Sequence, residues 1–367
     1  MKSWQYVGIL ASMVFYAFAV ACQRDGGKDD IVEPDPGTKP VEFQTTPYSW
    51  KKPANFDDPH YDLSKNPLTV EGVALGKTLF YDGLLSKDGS ISCAFCHQPT
   101  AGFAHNDHAL SHGIGDKIGT RNVPGIQNVA WQTAFFWDGG IVDLDLLPIS
   151  PIQNPVEMGD SLANVLQKVR SSGQYPALFK AAFGTEDVTT ERFMKALSQF
   201  MLTMVSANSK YDKYVRQEAG VTLTDQESRG LTLFKQHCEG CHSGPLLTDQ
   251  SFRNNGLRQQ LANSKDFDLG RYQITLNLVD YNKFRVPSLR NIERTSPYMH
   301  DGRFLTLEQV LDHYINDVQD TPQLDPLLKK EGKPGIPLTA TQKSDLIAFL
   351  RTLTDYEFLE NRSFQPN

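Results

Sequence analysis

Apolar residues recur at helical spacing before two similar motifs in this chain. Both stretches contain Gly-x-x-Leu-Phe, at Gly76–Phe80 and at Gly230–Phe234, with further apolar residues three or four positions away. Thr224 followed by Asp225 is typical of a helix start, because threonine caps the first free N–H groups and an acidic residue favours the first turn. Each stretch leads to a Cys-x-x-Cys-His sequence. The pattern therefore predicts a unit of amphipathic helix, break and cysteine motif that occurs twice.

The rest of the chain also favours helices over strands. The most strand-like segment is YQITLNLV, at residues 272–279, and it is short. Glycine, proline and asparagine fill the remaining stretches, which predicts long loops. We expect a mainly α fold of two helical domains, with the boundary near residues 211–221. The further helical stretches are residues 161–172, 189–207, 306–318 and 339–354.

The N-terminus carries an export signal. Its apolar run, Tyr6–Ala21, is short for a bilayer span of roughly 20 residues and is typical of a secretory signal over residues 1–22. The sequence AVAC resembles a lipobox with Ala19 in place of the usual leucine, so Cys22 is a candidate for lipidation and anchoring to the bacterial envelope. An ordinary signal-peptidase site and an uncleaved anchor are the alternatives. Residues 23–52, rich in Asp, Gly and Pro, read as a disordered tether.

The composition of the chain limits the size of its core and the kinds of partner it can bind. With 367 residues, 40% of them hydrophobic, the chain can bury one large core or two ordinary ones. The net charge of -7 is mild and there is no run of basic residues, so no nucleic-acid partner is expected. An exported chain meets an oxidising environment, where an unoccupied Cys-x-x-Cys pair tends to form a disulfide.

Three chemistries fit a Cys-x-x-Cys pair, and the adjacent histidine separates them. A four-cysteine zinc site usually has roughly 15–20 residues between its pairs, whereas these pairs lie far apart. A thioredoxin-like redox pair gives no reason for the histidine. Cys-x-x-Cys-His is the attachment signature of c-type haem, with the histidine as the proximal iron ligand. The four cysteines other than Cys22 form two such motifs: Cys93, Cys96 and His97, and Cys238, Cys241 and His242.

Several blocks around these motifs resemble the bacterial di-haem cytochrome c peroxidase family, which includes the MauG-like proteins. The resemblance runs from about Asn66 to Tyr356. It implies two cytochrome c-like helical domains, residues 53–215 and 216–360, with two covalent haem c groups and a calcium ion near the domain interface. The blocks are SCAFCHQPTAGF, GTRNVPGIQNVAW, FFWDGG, PIQNPVEMG, CEGCHSGPLLTD, FRVPSLRNIERTSPYMHDGRFLTLEQVLDHY and LIAFLRTL.

The resemblance assigns roles to the two haem motifs and to two residues between them. It implies a peroxidatic haem on His97 and an electron-transfer haem on His242. Trp137, in FFWDGG, matches the family's tryptophan between the haems, where an indole can relay electrons; a buried core tryptophan is the alternative. Glu157, in NPVEMG, matches the distal glutamate, which can move a proton between the oxygens of peroxide as general base and then acid. A salt-bridging glutamate is the alternative.

The resemblance also implies a calcium site. Asn122 matches a family ligand, and Thr295 and Pro297 match positions that offer backbone carbonyls. Hard oxygen donors of this kind suit calcium.

The axial ligands depart from ordinary family members. The peroxidatic loop usually carries a displaceable histidine, but alignment from the following arginine puts Ile114 at that position. Either the loop shifts and His112 ligates, or the site is open, as in MauG-like members.

At the second haem, Tyr314 replaces the usual methionine and lies 19 residues after Thr295, as in MauG-like members. A phenolate ligand would stabilise ferric iron and lower the potential. His313 and Met299 are the competing ligands.

Together these features predict a periplasmic, lipid-anchored di-haem peroxidase. The expected reaction is reduction of hydrogen peroxide to water, with electrons from a small cytochrome c or a cupredoxin. A MauG-like oxidase that modifies a partner protein is one alternative, and a non-catalytic di-haem electron carrier is another. A homodimer is compatible with the resemblance.

Overall fold

Short helices joined by long loops dominate the computed structural model, which describes residues 43–259, 267–330 and 332–366. The described part contains twelve α-helices and four strands of two residues each, so the mainly helical prediction is confirmed. The helices are α1 Val70–Tyr81, α2 Cys93–Cys96, α3 Ile149–Gln153, α4 Leu162–Arg170, α5 Tyr175–Phe183, α6 Thr190–Leu202, α7 Lys210–Val215, α8 Asp225–His237, α9 Tyr272–Thr275, α10 Leu307–Asp312, α11 Ala340–Arg351 and α12 Tyr356–Leu359. The strands are β1 Phe252–Arg253, β2 Phe284–Arg285, β3 Lys329–Lys330 and β4 Lys333–Pro334.

The predicted repeat appears as two pairs of crossing helices. α1 packs on α6, and α8 packs on α11. A Cβ on Gly76 would lie 1.9 Å from the carbonyl oxygen of Ala196 in α6, and a Cβ on Gly230 would lie 2.0 Å from that of Asp345 in α11. Only glycine allows helices to approach this closely. The threonine predicted to start α8, Thr224, caps it with a capping box.

Residues 44–367 form one compact unit with two main hydrophobic cores. The N-terminal core is built around α1 and α6, and the C-terminal core around α8 and α11. The chain end returns to the N-terminal core through Phe358, Leu359 and Phe364. The domain boundary near residue 215 stays a prediction.

One ion pair joins α7 to the loop after β2. The Arg290 guanidinium donates to both carboxylate oxygens of Asp212, at 2.8 and 2.7 Å, and both side chains are almost fully buried. Arg290 also lies over the ring of Phe56, 4.8 Å from its centroid, in the N-terminal core. A buried, bidentate pair of this kind fixes the geometry between the elements that carry it.

The other helix predictions are confirmed and the strand prediction is wrong. Helices α4, α6, α10 and α11 lie within the four predicted stretches, and one π-helical turn, His313–Asp317, extends α10. The segment YQITLNLV instead forms α9 and a 3-10 turn, Leu278–Asp280. Its alternating pattern meets no neighbouring strand, and Leu276 adopts a left-handed conformation and is largely exposed.

The signal, the lipobox cysteine Cys22 and most of the tether lie outside the described residues. The last part of the predicted tether, residues 44–52, contacts the N-terminal core. There the Trp50 indole donates to the carbonyl oxygen of Leu202 at 2.9 Å and its ring stacks on Trp131. Of the helices in the described part of the chain, none has the length and apolar character needed to cross a membrane.

Candidate active site

The first cysteine motif orients its histidine as a metal ligand. α2 is a single turn, and His97 caps it by donating its backbone N–H to the carbonyl of Cys93 at 2.9 Å. The His97 ring lies with Nδ1 2.7 Å from the carbonyl oxygen of the buried Phe103. Because Nδ1 donates there, the lone pair of Nε2 is available to an iron. Burial lowers the pKa of His97 to about 4, so the imidazole is neutral, as a ligand must be.

The second motif repeats this arrangement. The Nδ1 atom of His242 lies 3.2 Å from the carbonyl oxygen of Leu247, and burial lowers the pKa of His242. In both motifs the residue that supplies the carbonyl has a left-handed backbone, with φ of 58° at Phe103 and 54° at Leu247. The two copies therefore present equivalent histidine ligands through equivalent loops.

The four motif cysteines are free and half-buried in the structure. Burial raises the pKa of Cys93 and Cys238 to about 12 and that of Cys96 and Cys241 to about 11. The unmodified thiols are therefore protonated at neutral pH. In the described residues, no three His, Cys, Asp or Glu side chains form a group that could hold a metal ion on their own. A porphyrin that supplies its own nitrogen ligands requires only the histidine.

A cavity of about 720 Å³ opens beside the first motif. This volume lies within the range of about 300–1,000 Å³ that is usual for cofactor and ligand sites. The residues present therefore fit a haem attached at this motif. The lining includes Cys93, Cys96, His97, Trp137, Glu157, Arg285 and His300.

Glu157 places a carboxyl group in the cavity wall. The Glu157 side chain is half-buried. Burial raises the pKa of its carboxyl group, and a hydrogen bond with Asn154 offsets part of this rise. The Glu157 carboxyl lies close enough to Cys96 to raise the pKa of that thiol as well. The backbone carbonyl oxygen of Glu157 accepts the backbone N–H of Ile114 at 2.8 Å. This bond holds the loop that contains Ile114 against Glu157. The side chain can therefore hold or accept a proton next to the haem motif.

The loop considered for a distal ligand packs beside the first motif. The carbonyl oxygen of His112 lies 3.7 Å from Sγ of Cys96. The His112 ring packs near that of His108, with centroids 5.5 Å apart, and its Nδ1 is buried without a partner. Ile114, at the usual histidine position, is buried. Of the histidines that the structure describes, His97 and His300 line the cavity, and a distal role for His112 stays a prediction.

Trp137 is buried and lines the same cavity. Its indole Nε1 donates to the carbonyl oxygen of Asn122 at 2.9 Å, and its own carbonyl accepts the backbone N–H of Arg285 at 2.7 Å. These bonds hold the ring in one orientation against the cavity.

Arg285 is a site residue that the sequence reasoning missed. Its guanidinium is buried in the cavity wall, donates to the carbonyl of Phe136 at 3.2 Å, and has its pKa lowered to about 10 by burial. It takes part in none of the ion pairs found in the described residues. A buried cation requires an anion, and a haem propionate would supply one. The sequence feature that could have indicated this role is an arginine between two apolar residues, Phe284 and Val286.

The residues matched to the calcium site lie in two segments that touch. Asn122 is buried, its amide nitrogen donates to the carbonyl of Ala109 at 2.9 Å, and its backbone N–H donates to the carbonyl of His300 at 2.7 Å. The first bond leaves the amide oxygen of Asn122 as a hard donor. Thr295 and Pro297 precede His300 by a few residues. The calcium site stays a prediction.

Tyr314 lies at the second motif. It belongs to the π-helical turn that follows α10, a deformation often found at functional sites. Burial raises the pKa of its phenol to about 12, and the nearby Cys241 and Cys238 contribute to the shift. The structure therefore brings Tyr314 next to the cysteines of the second motif, and its role as an axial ligand stays a prediction.

Comparisons with known proteins identify the family of this chain. Residues 70–220 match the family described as di-haem cytochrome c peroxidase. The methylamine utilization protein MauG of Methylorubrum extorquens is 38% identical over 291 residues, 78% of this chain and 79% of the relative. The cytochrome c551 peroxidase of Nitrosomonas europaea is 36% identical over 78% of this chain and 81% of the relative.

Two solved structures are also similar. One is a MauG-like protein associated with microbial copper homeostasis, with a TM-score of 0.76, 33% identity and coverage of 87% of this chain and 99% of that one. The other is the diheme peroxidase BthA of Burkholderia thailandensis, with a TM-score of 0.70, 25% identity and coverage of 82% and 90%. The chain therefore belongs to the bacterial di-haem cytochrome c peroxidase family, whose members include MauG proteins.

Proposed function

We propose that this chain is a di-haem c-type peroxidase that reduces hydrogen peroxide to water with electrons from a small periplasmic redox protein, a cytochrome c or a cupredoxin. The observation that carries the proposal is the Glu157 carboxyl, with a raised pKa, in the lining of the cavity that His97 also lines. When bound, haem c supplies an iron centre for peroxide at His97 and an electron store at His242. The overall reaction consumes one peroxide, two electrons and two protons and yields two waters.

Glu157 is the proton carrier in this proposal. Its carboxylate accepts the proton of the peroxide oxygen that faces His97 and returns it to the outer oxygen, which leaves as water. A raised pKa brings the carboxyl nearer to the balance of protonated and ionised forms that such a shuttle requires. Arg285, which lines the same cavity, would hold a propionate and so orient the haem.

Trp137 is the proposed relay between the two haems. Its indole is oriented by the bond to the carbonyl of Asn122, and it lines the cavity beside His97. His242 and Tyr314 would hold the second haem, which would supply the site where electrons enter. Asn122, Thr295 and Pro297 are the proposed calcium ligands.

The test replaces the carboxyl by an amide of the same shape. In Glu157→Gln, peroxide-dependent oxidation of reduced cytochrome should fall by about 10²- to 10⁴-fold, because general acid–base catalysis typically contributes that factor. Glu186→Gln, on an exposed glutamate, is the matched control. Absorbance and intact mass should show two covalent haems in both variants. Full turnover by Glu157→Gln would remove this glutamate from the mechanism.

Tyr314 favours a second candidate, a MauG-like oxidase that modifies a partner protein. A phenolate stabilises ferric iron and lowers the potential, which is unfavourable for accepting electrons from a small donor protein. Slow oxidation of reduced cytochromes, together with peroxide-dependent modification of a protein from the same periplasm, would favour this role. A haem spectrum that peroxide leaves unchanged would leave only an electron carrier.

The proposed location is the periplasm, with attachment to the envelope through lipid on Cys22. The motif lies outside the described residues, so the proposal rests on the sequence alone. Labelled fatty acid should be incorporated into the wild-type protein and not into Cys22→Ser. Equal labelling of both would refute the anchor.

A further inference from the structure

Two histidines in the loop after the first haem motif have their rings in contact. His105 is buried, with 2% of its surface exposed, whereas His108 is exposed. The Nε2 atom of His105 lies 3.4 Å from Nδ1 of His108, and the ring centroids are 5.2 Å apart. The contact therefore joins a buried imidazole to one that solvent can reach.

A hydrogen bond between the rings does not by itself account for the burial of His105. The other ring nitrogen of His105, Nδ1, is buried without a partner. A buried polar atom without a partner destabilises a fold, and the contact at 3.4 Å is longer than the usual range for a strong hydrogen bond. The position of this imidazole therefore favours a role in binding over a role in packing.

The separation of the two nitrogens matches a tetrahedral metal site. Zinc binds imidazole nitrogens at about 2.0–2.1 Å, which places two nitrogen ligands of a tetrahedral site about 3.3 Å apart. Neighbouring ligands of a square-planar site, at a right angle and at similar bond lengths, would be about 2.9 Å apart. The observed 3.4 Å fits the tetrahedral arrangement. Because His108 is exposed, solvent can fill the remaining coordination positions.

The loop that carries the two histidines is anchored at both ends. Before the first histidine, the carbonyl of Ala104 accepts the backbone N–H of Gln98 at 3.0 Å, and the Gln98 amide donates to the carboxylate of Asp107 at 3.1 Å. After the second histidine, the carbonyl of Ala109 accepts the side-chain amide of Asn122 at 2.9 Å. Ligands on a loop held in this way lose little freedom when a metal binds.

The third histidine of the same loop is engaged differently. The Nε2 atom of His112 lies 3.5 Å from the carboxylate of Asp116. The pair at ligand spacing therefore consists of His105 and His108.

We propose that His105 and His108 bind one divalent cation of the zinc type, in a tetrahedral coordination that solvent completes. Neutral imidazole nitrogens are suitable ligands for such an ion. The site is separate from the two haem irons and does not depend on the proposed peroxidase activity.

The test measures zinc bound to the haem-loaded protein by equilibrium dialysis and elemental analysis. Covalent haem occupies both cysteine motifs, and excess Ca²⁺ in the buffer competes for sites made of oxygen donors. Wild type should bind one zinc ion per chain. His108→Ala should weaken zinc binding by about tenfold or more, since even residues that only orient a metal ligand typically contribute that factor. Absorbance should show an unchanged haem content, because the side chain removed is exposed.

The matched control is His60→Ala, which removes an exposed histidine from a different segment. This variant should bind zinc as wild type does. An equal loss in both variants would show adventitious binding to surface imidazoles and would overturn the assignment. Zinc binding of wild-type strength by His108→Ala would overturn it as well.

A second measurement needs no substitution. Zinc should protect His108 from acylation by diethyl pyrocarbonate, followed by peptide mass spectrometry, while His60 stays reactive. If His108 is acylated equally fast with and without zinc, the two rings share only a hydrogen bond and the metal site is refuted.

Discussion

Replacing Gly76 by alanine tests the crossing of α1 and α6 directly. The added Cβ would lie 1.9 Å from the carbonyl oxygen of Ala196 and 3.0 Å from the Cβ of Phe200. Contacts of Cβ atoms below 3.0 Å essentially do not occur, so the shortfall is about 1.1 Å. The obstructing atom belongs to the backbone of a helix and not to a flexible side chain. The two helices must therefore move apart.

The size of the effect follows from two opposing contributions. Overpacking of a close-packed core typically destabilises the fold by about 1–3 kcal/mol, and a backbone obstacle favours the upper end. Alanine has a better helix propensity than glycine by about 1 kcal/mol, which offsets part of this. We expect Gly76→Ala to lower the free energy of unfolding by about 2 kcal/mol. Gly230→Ala should behave similarly, since its Cβ would lie 2.0 Å from the carbonyl oxygen of Asp345.

The assay is denaturant unfolding of the haem-loaded protein, followed by circular dichroism and haem absorbance. Gly173→Ala is the control, because a Cβ at that position meets nothing within 4 Å and its φ is not in the left-handed region. The control should unfold at the wild-type midpoint or above it. If Gly76→Ala and Gly173→Ala unfold at the same denaturant concentration, the close crossing is not what requires glycine.

Two further substitutions, at Asp212 and at Trp137, each remove a buried polar interaction. Asp212→Asn should lower the free energy of unfolding by about 3–5 kcal/mol, since it leaves the buried Arg290 without its counter-ion. Burial alone would raise the pKa of Asp212, but bonds with Arg290 and the charge of Arg290 lower it below the ordinary value. Its stabilisation is therefore complete above the unfolded pKa of about 3.9 and is lost as the pH falls through the folded pKa, so wild type and variant should converge in acid unfolding curves. Trp137→Phe removes the indole donor and leaves the buried carbonyl of Asn122 unpaired, which should cost about 1–3 kcal/mol in denaturant unfolding. The same variant should slow peroxide-dependent turnover while each haem keeps its spectrum, and undiminished turnover would exclude Trp137 as the relay.

Helical structure and the repeated haem unit were predictable because their signals are local. The Gly-x-x-Leu-Phe motif, the capping threonine and the Cys-x-x-Cys-His spacing each depend on neighbours within one or two turns, and α8 begins where Thr224 predicts. The strand prediction for residues 272–279 was wrong because strand formation depends on a partner that is distant in the sequence. Alternation predicts a strand only if another strand pairs with it, and here none does.

The sequence by itself determined the mainly helical fold class, the two haem attachment motifs and the membership of the family, since these depend on residue types at fixed short spacings. Only the tertiary structure decided which side chains meet. It brought Glu157, Trp137, Arg285 and His97 to the lining of one cavity. It also joined Arg290 to Asp212, which are 78 residues apart in the chain. Burial and hydrogen bonding depend on such distant contacts, and these are what set the charge and orientation of each group.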